Sequence, residues 1–175
     1  CDADAERARS LAERYGCAWT TSLDEVAAAE IDAASVVTPD DLHASCALRL
    51  IEAGKHVLVE RPLATRLEDA EQVVRSARRR GVALMVNFTH RWNPKFLAAH
   101  DALRSRRLGT PLSALVRLNQ SSLVPTELTP WAARCGLVWH TLPRAIDLLR
   151  WLLLEEVREV YAVGTRGHLP GVPPD

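Results

Sequence analysis

The chain has 175 residues, enough for one ordinary domain or for one domain and part of a second. With 47% hydrophobic and 25% charged residues it has a globular composition, and its formal net charge of zero favours neither nucleic acid nor an anionic membrane. Arg150 interrupts even the richest apolar patch, "IDLLRWLLL", and "CDADAERARS" lacks a signal-peptide core, so a soluble, cytoplasmic protein is expected.

Residues 4–15 place Ala8, Leu11, Ala12 and Tyr15 on one helical face, with Gly16 as the stop. Ser22 and Glu25 have capping-box spacing before the short run Val26–Ala29. "ASVV" (34–37) reads as a buried strand ended by Thr38-Pro39, and a helix follows from Asp41 to Ala53, closed by Gly54. "HVLVE" (56–60) is the next strand. Thr65 and Glu68 are expected to cap a helix that runs to Arg80 and stops at Gly81, and "VALMVNF" (82–88) is a third strand. Short apolar strands separated by helices of ten to fifteen residues mean βαβ units and a parallel sheet. Ligands on such sheets bind beyond the carboxyl ends of the strands, which gives "VVTP", "VLVERP" and "MVNFTHR" their interest.

After Arg91 the texture changes. Pro94 opens a helix that stops near Gly109, and "PLSALVRLNQ" (111–120) alternates like a strand exposed on one side. A polar loop of about sixteen residues follows, then a helix from Leu142 to Leu153 with Pro143 in its first turn, then a strand over 157–165. The expected organisation is an incomplete Rossmann-type parallel sheet over 1–91, followed by the start of an α/β open-sheet second domain over 92–175. A dinucleotide-binding sheet normally opens with a strand and a GxGxxG turn. Neither is in this sequence, and Cys1-Asp2 precedes a helix directly, so the chain reads as a fragment that starts just after the phosphate loop.

The run "VVTPDDLHASCALRLIEAGKHVLVERPLATRLEDAEQVV" resembles the glucose–fructose oxidoreductase and inositol dehydrogenase (Gfo/Idh/MocA) family. The resemblance rests on Thr38-Pro39 after one strand, His43 four residues past that proline, Ala-Gly-Lys-His before the next strand, and Glu60-x-Pro62 at its end. It extends more weakly from Asp2 to Thr165. It implies a nicotinamide-dependent oxidoreductase that uses NAD, with NADP as the alternative, and takes a sugar, polyol or related small polar molecule. Asp2 is then expected to receive the ribose hydroxyls, with Thr38, Pro39, His43, Glu60, Arg61 and Asn87 around the cofactor. A homo-oligomer formed through the sheet of the second domain is also implied when the protein is full length.

Two departures from the family pattern alter the chemistry. The family's Glu-Lys-Pro is Glu60-Arg61-Pro62 here, and arginine keeps the charge but cannot serve as a general base. It can still clamp a carboxylate. The family's Asp-x-x-x-His-x-x-Asp is "HTLPRAID", so His140 stands at the first acid's place, Arg144 at the histidine's, and only Asp147 matches. Arg61, His140, Arg144 and Asp147 are the candidate catalytic residues, with the imidazole of His140 able to take over proton transfer. Trp131 and Cys135 border the substrate pocket by family likeness, while Arg91 and Trp92 read as an interdomain salt bridge with core packing. Arginine is 20 of the 22 basic residues, Lys55 and Lys95 being the exceptions, so any single arginine is weaker evidence than usual.

The four cysteines, Cys1, Cys17, Cys46 and Cys135, are scattered and suggest reduced thiols, with no metal site expected. Two other readings stay open at this point: a family-fold protein that binds a dinucleotide or sugar without catalysis, and an inactive truncated remnant.

Overall fold

The computed structural model describes residues 1–119, 121, 123–129 and 131–164. The chain forms two compact units, Cys1–Thr38 with Leu42–Met85, and Pro39–Asp41 with the described part of Val86–Asp175.

The first unit opens with α1 (Ala5–Tyr15) and α2 (Leu23–Ala28). Asp4 caps α1 by accepting from the backbone N–H groups of Glu6 and Arg7, and Gly16, at φ 64°, ends the helix in the left-handed conformation glycine adopts freely. Only the alanines of the expected apolar face are buried, Ala8 and Ala12; Leu11 and Tyr15 are exposed. Ser22 caps α2 as its spacing suggests, but Glu25 does not close the box. Its carboxylate instead accepts from Thr20 Oγ1 at 2.5 Å, and that hydroxyl oxygen accepts from the Ser22 N–H.

Strands β1 (Ala33–Val36), β2 (His56–Glu60) and β3 (Leu84–Asn87) form one sheet in the order β1-β2-β3. β1 and β2 run parallel, with Val36 opposite Val59. Between them runs α3 (His43–Glu52), entered through a 3-10 turn over Asp40–Leu42 rather than by a regular helix from Asp41. α4 (Leu67–Arg80) packs on α3. Ala47, Leu50 and Ile51 of α3, Val57 and Val59 of β2, and Val73 of α4 make a continuous buried cluster. Fully burying one such aliphatic side chain is worth about 1.5–3 kcal/mol, so this cluster holds the sheet to its helices.

The expected cap of α4 is displaced by one residue. Arg66 is the N-cap and makes no side-chain cap bond, and Glu68 and Asp69 sit in the first turn, where they complement the helix dipole.

The second unit contains a 3-10 turn (Thr89–Trp92), α5 (Pro94–Arg104), a π-helical turn (Val124–Leu128), α6 (Ala132–Cys135) and α7 (Leu137–Leu153). The stretch expected to be a polar loop therefore holds two short helical segments. α7 starts five residues earlier than expected, so Pro143 lies inside it and removes the bond to the Trp139 carbonyl.

No strand forms over 111–119 or 157–164; Gln120, Thr165 and the tail beyond lie outside the described residues. The reason is physical: alternation makes a strand only when a ladder partner takes its backbone groups and a layer covers its apolar face. Leu112 and Leu115 are 96% and 92% exposed, with neither available among the described residues.

Candidate active site

In the first unit, the carboxyl ends of β1 and β2 are joined through His43. α3 begins at this residue, and its ring is buried to 1% exposure. Nε2 lies 2.8 Å from the Thr38 carbonyl oxygen and Nδ1 lies 2.6 Å from that of Pro62. Carbonyls only accept, so a ring carrying both protons satisfies both contacts, whereas a neutral ring donates to one. His43 thus ties the segment after β1 to the segment that carries Glu60, Arg61 and Pro62. Both ring nitrogens are committed to the backbone, so any influence of His43 on a ligand passes through those two segments.

The Arg61–Pro62 peptide is cis, Pro62 is buried, and Glu60 and Arg61 are half-buried. Thr38 presents a hydroxyl oxygen that is buried and has no hydrogen-bond partner among the described residues. Buried polar atoms are nearly always satisfied, so an orphan at a strand's carboxyl end is a place for a ligand group.

Asp2 stands before α1. Its carboxylate accepts from the Asp4 N–H at 2.9 Å and pairs with Arg7 at 3.3 Å. The Asp4 bond above all, helped by the Arg7 guanidinium, holds this carboxyl below the usual aspartate range against the opposing effect of burial. It is therefore ionised at neutral pH and able to accept hydroxyl protons.

The second unit contains a buried polar cluster that sequence reading only half anticipated. The α7 residue His140, 8% exposed, has its Nδ1 2.8 Å from Asp40 Oδ2. The other Asp40 oxygen accepts from Trp131 Nε1 at 3.1 Å, and Asp40 itself is 5% exposed. A carboxylate facing Nδ1 accepts a hydrogen bond from it and fixes the tautomer and orientation of the ring. Asp40 was missed as a site residue because the sequence separates it from His140 by 100 positions; two acids directly after Thr-Pro were the available signal. Its neighbour Asp41 pairs with Arg134 at 3.1 Å.

Asp147, also buried, is gripped side-on by Arg91, with Nε 2.9 Å from Oδ2 and Nη2 2.5 Å from Oδ1. Both partners belong to the second unit, and Trp92 is 63% exposed rather than packed in a core. Arg144, one turn before Asp147, is half-buried, and its Nε is buried without a partner among the described residues. His140, Arg144 and Asp147 thus share α7 but have separate surroundings. Pro39 and Asn87 are half-buried.

Cys135 sits in α6. Burial pushes its thiol up, and the nearby charges of Asp41 and Asp40 add to the effect. A thiol in those surroundings stays protonated and is a poor nucleophile. Among the described residues no group of three or more His, Cys, Asp or Glu could hold a metal ion, and no helix is long and apolar enough to cross a membrane.

Comparison with known proteins places the chain in a group. Residues 1–88 match the model of an oxidoreductase family with an NAD-binding Rossmann fold (GFO_IDH_MocA). The chain is 35% identical over 166 residues to a 1,5-anhydro-D-fructose reductase of Ensifer adhaerens, covering 91% of this chain and 49% of that protein. It is 33% identical to inositol 2-dehydrogenase 3 of Saccharopolyspora erythraea, covering 94% of this chain and 48% of the relative. The solved structure of the WlbA dehydrogenase of Bordetella pertussis, in complex with NADH and UDP-GlcNAcA, superposes with a TM-score of 0.77 at 27% identity, over 87% of this chain and 46% of that one. The chain spans about half the length of the curated relatives it matches.

Proposed function

Because the chain belongs to the Gfo/Idh/MocA family of NAD-binding oxidoreductases, we propose that it acts in hydride transfer between a nicotinamide dinucleotide and a sugar, polyol or related hydroxy or keto compound. The observation that carries the catalytic part of this reading is the buried Asp40–His140 hydrogen bond.

The residues of the first unit suit the cofactor. The orphaned hydroxyl of Thr38 offers a hydrogen bond at the end of β1, and the ionised Asp2 offers a carboxylate to ribose hydroxyls. A carboxylate there would repel a 2′-phosphate, which favours NAD over NADP. Glu60 completes this set, and His43 holds its two backbone segments in place. When bound, the dinucleotide supplies the hydride acceptor or donor.

The chain's own residues handle the proton. Oxidation of an alcohol carbon frees a hydroxyl proton, and His140 Nε2 receives it while Asp40 stabilises the imidazolium through Nδ1–H. In the reducing direction the same nitrogen returns the proton to the carbonyl oxygen. Arg61 cannot take a proton at useful pH and instead offers a fixed positive charge at the end of β2. Arg144 serves binding, and Asp147 positions Arg91 on its helix. This division supports catalysis without the family's lysine and histidine.

The test is a panel of sugars and polyols with NAD, followed by the absorbance of reduced nicotinamide, beside a direct fluorescence titration with NADH. Turnover of at least one compound, abolished in His140→Gln while NADH still binds, is the expected result. Failure of the wild-type protein to bind NADH would overturn the reading.

A further inference from the structure

We propose that Arg144 is the binding site for a substrate carboxylate, so that the compound taken is a sugar acid rather than a neutral sugar or polyol. This inference rests on the oxidoreductase reading for the identity of the bound molecule, and on the geometry of the second unit for the group it carries.

Three arginines of the second unit share one arrangement, while Arg107 bonds Ser105 and Asp101 and Arg117 bonds Asn119. Arg91 grips Asp147, Arg134 grips Asp41, and Arg150 grips Glu156, in each case with Nε and Nη2 on the two oxygens of one carboxylate. This side-on fork matches the planar carboxylate in spacing and shape. Arg144 departs from the pattern. Its Nε is buried as deeply as a core atom and has no partner among the described residues.

The acids that would ordinarily pair with Arg144 are already engaged. Asp147, three residues along the same helix, has both oxygens on Arg91. Asp40, the other buried acid of this unit, has one oxygen on His140 and the other on Trp131. Leaving a guanidinium nitrogen out of water and without an acceptor is costly, and such a group persists where a ligand completes it. The acceptor that fits an empty Nε fork, as its three neighbours show, is a carboxylate. Arg144 also lies one helical turn from His140, so a carboxylate held there comes with the reacting hydroxyl within the reach of a single small molecule.

The experiment compares D-glucuronate, D-galacturonate and D-gluconate with D-glucose, D-galactose and D-glucitol, at matched ionic strength and with NAD present. Binding is read by calorimetry and turnover by reduced nicotinamide, in the wild-type protein, Arg144→Met and Arg144→Lys. At least one acid is expected to bind about tenfold or more tighter than its neutral partner. Arg144→Met should erase that preference and Arg144→Lys should restore part of it. The thermal midpoint of Arg144→Met should be unchanged or higher, because a residue kept for a ligand is unsatisfied in its absence, whereas a structural residue would lower it.

Neutral compounds bound or turned over as well as the acids would overturn the inference and leave the oxidoreductase reading standing. So would an acid preference that survives in Arg144→Met. Absence of NADH binding would sink the oxidoreductase reading, and calorimetry with the acids alone would still decide the role of Arg144. Displacement of the acid by millimolar inorganic phosphate, lost in Arg144→Met, would mark a phosphate site and overturn the choice of carboxylate.

Discussion

Two buried histidines, one in each unit, show how the same side chain is put to different uses by its partners. His43 faces two backbone carbonyls, and His140 faces one carboxylate. Backbone carbonyls cannot change protonation, so the first arrangement fixes geometry: it locks the segments after β1 and β2 to each other. A carboxylate can stabilise a developing imidazolium, so the second arrangement suits the proton transfer proposed for it. Burial alone does not separate the two, since both rings are below a tenth exposed. What each nitrogen meets does.

Substitutions can break this contrast, beginning with the largest expected effect. His140→Gln should lower kcat by about a hundredfold or more with little change in KM, because it removes a proton acceptor and leaves binding intact. Steady-state kinetics with saturating cofactor check this. His43→Leu should instead act on stability. The buried contact to Pro62 and the part-buried contact to Thr38 are lost, and urea unfolding should show a loss of about 1–3 kcal/mol together with weaker NADH binding. A His43 variant as stable as the wild type would show that the clamp carries no weight.

Arg91→Met tests the second unit's other buried acid. It strands the Asp147 carboxylate, and a loss of about 1–3 kcal/mol is expected after allowance for the partial exposure of Arg91. Asp147→Asn in the same background should recover part of it, measured as a double-mutant cycle.

The smallest effect concerns Cys135, whose thiol is pushed up by burial and by Asp41 and Asp40. A raised pKa means less thiolate at any given pH. Alkylation should therefore label the exposed Cys1 and Cys17 before Cys135 near neutrality, with Cys135 gaining reactivity only as pH rises above the ordinary thiol range. Peptide mass spectrometry after iodoacetamide treatment reads the order directly.

Much of the fold was legible in the chain because it depends on local signals. Gly16, Gly54 and Gly81 end helices where their positions suggest, all with positive φ, and the apolar runs before Thr38 and Glu60 form adjacent parallel strands. The segments 111–119 and 157–164 have the alternation of strands yet form none, because pairing is not a property of one segment. The helix that begins at Leu137 rather than Leu142 shows the same limit: a proline reads as a first-turn residue, and helical context on both sides outweighs it.

The candidate site divides in the same way. Sequence alone determined which chemistry the chain carries: an acid before α1, a threonine and a Glu-Arg-Pro at strand ends, and a histidine, an arginine and an aspartate on one helical face. Residue type and helical spacing are properties of the linear chain. Only the tertiary structure decided the pairings: Asp40 with His140, Arg91 with Asp147, and Arg144 with none among the described residues. A carboxylate chooses its partner by distance and desolvation, and both are set by packing between segments 56 and 100 positions apart.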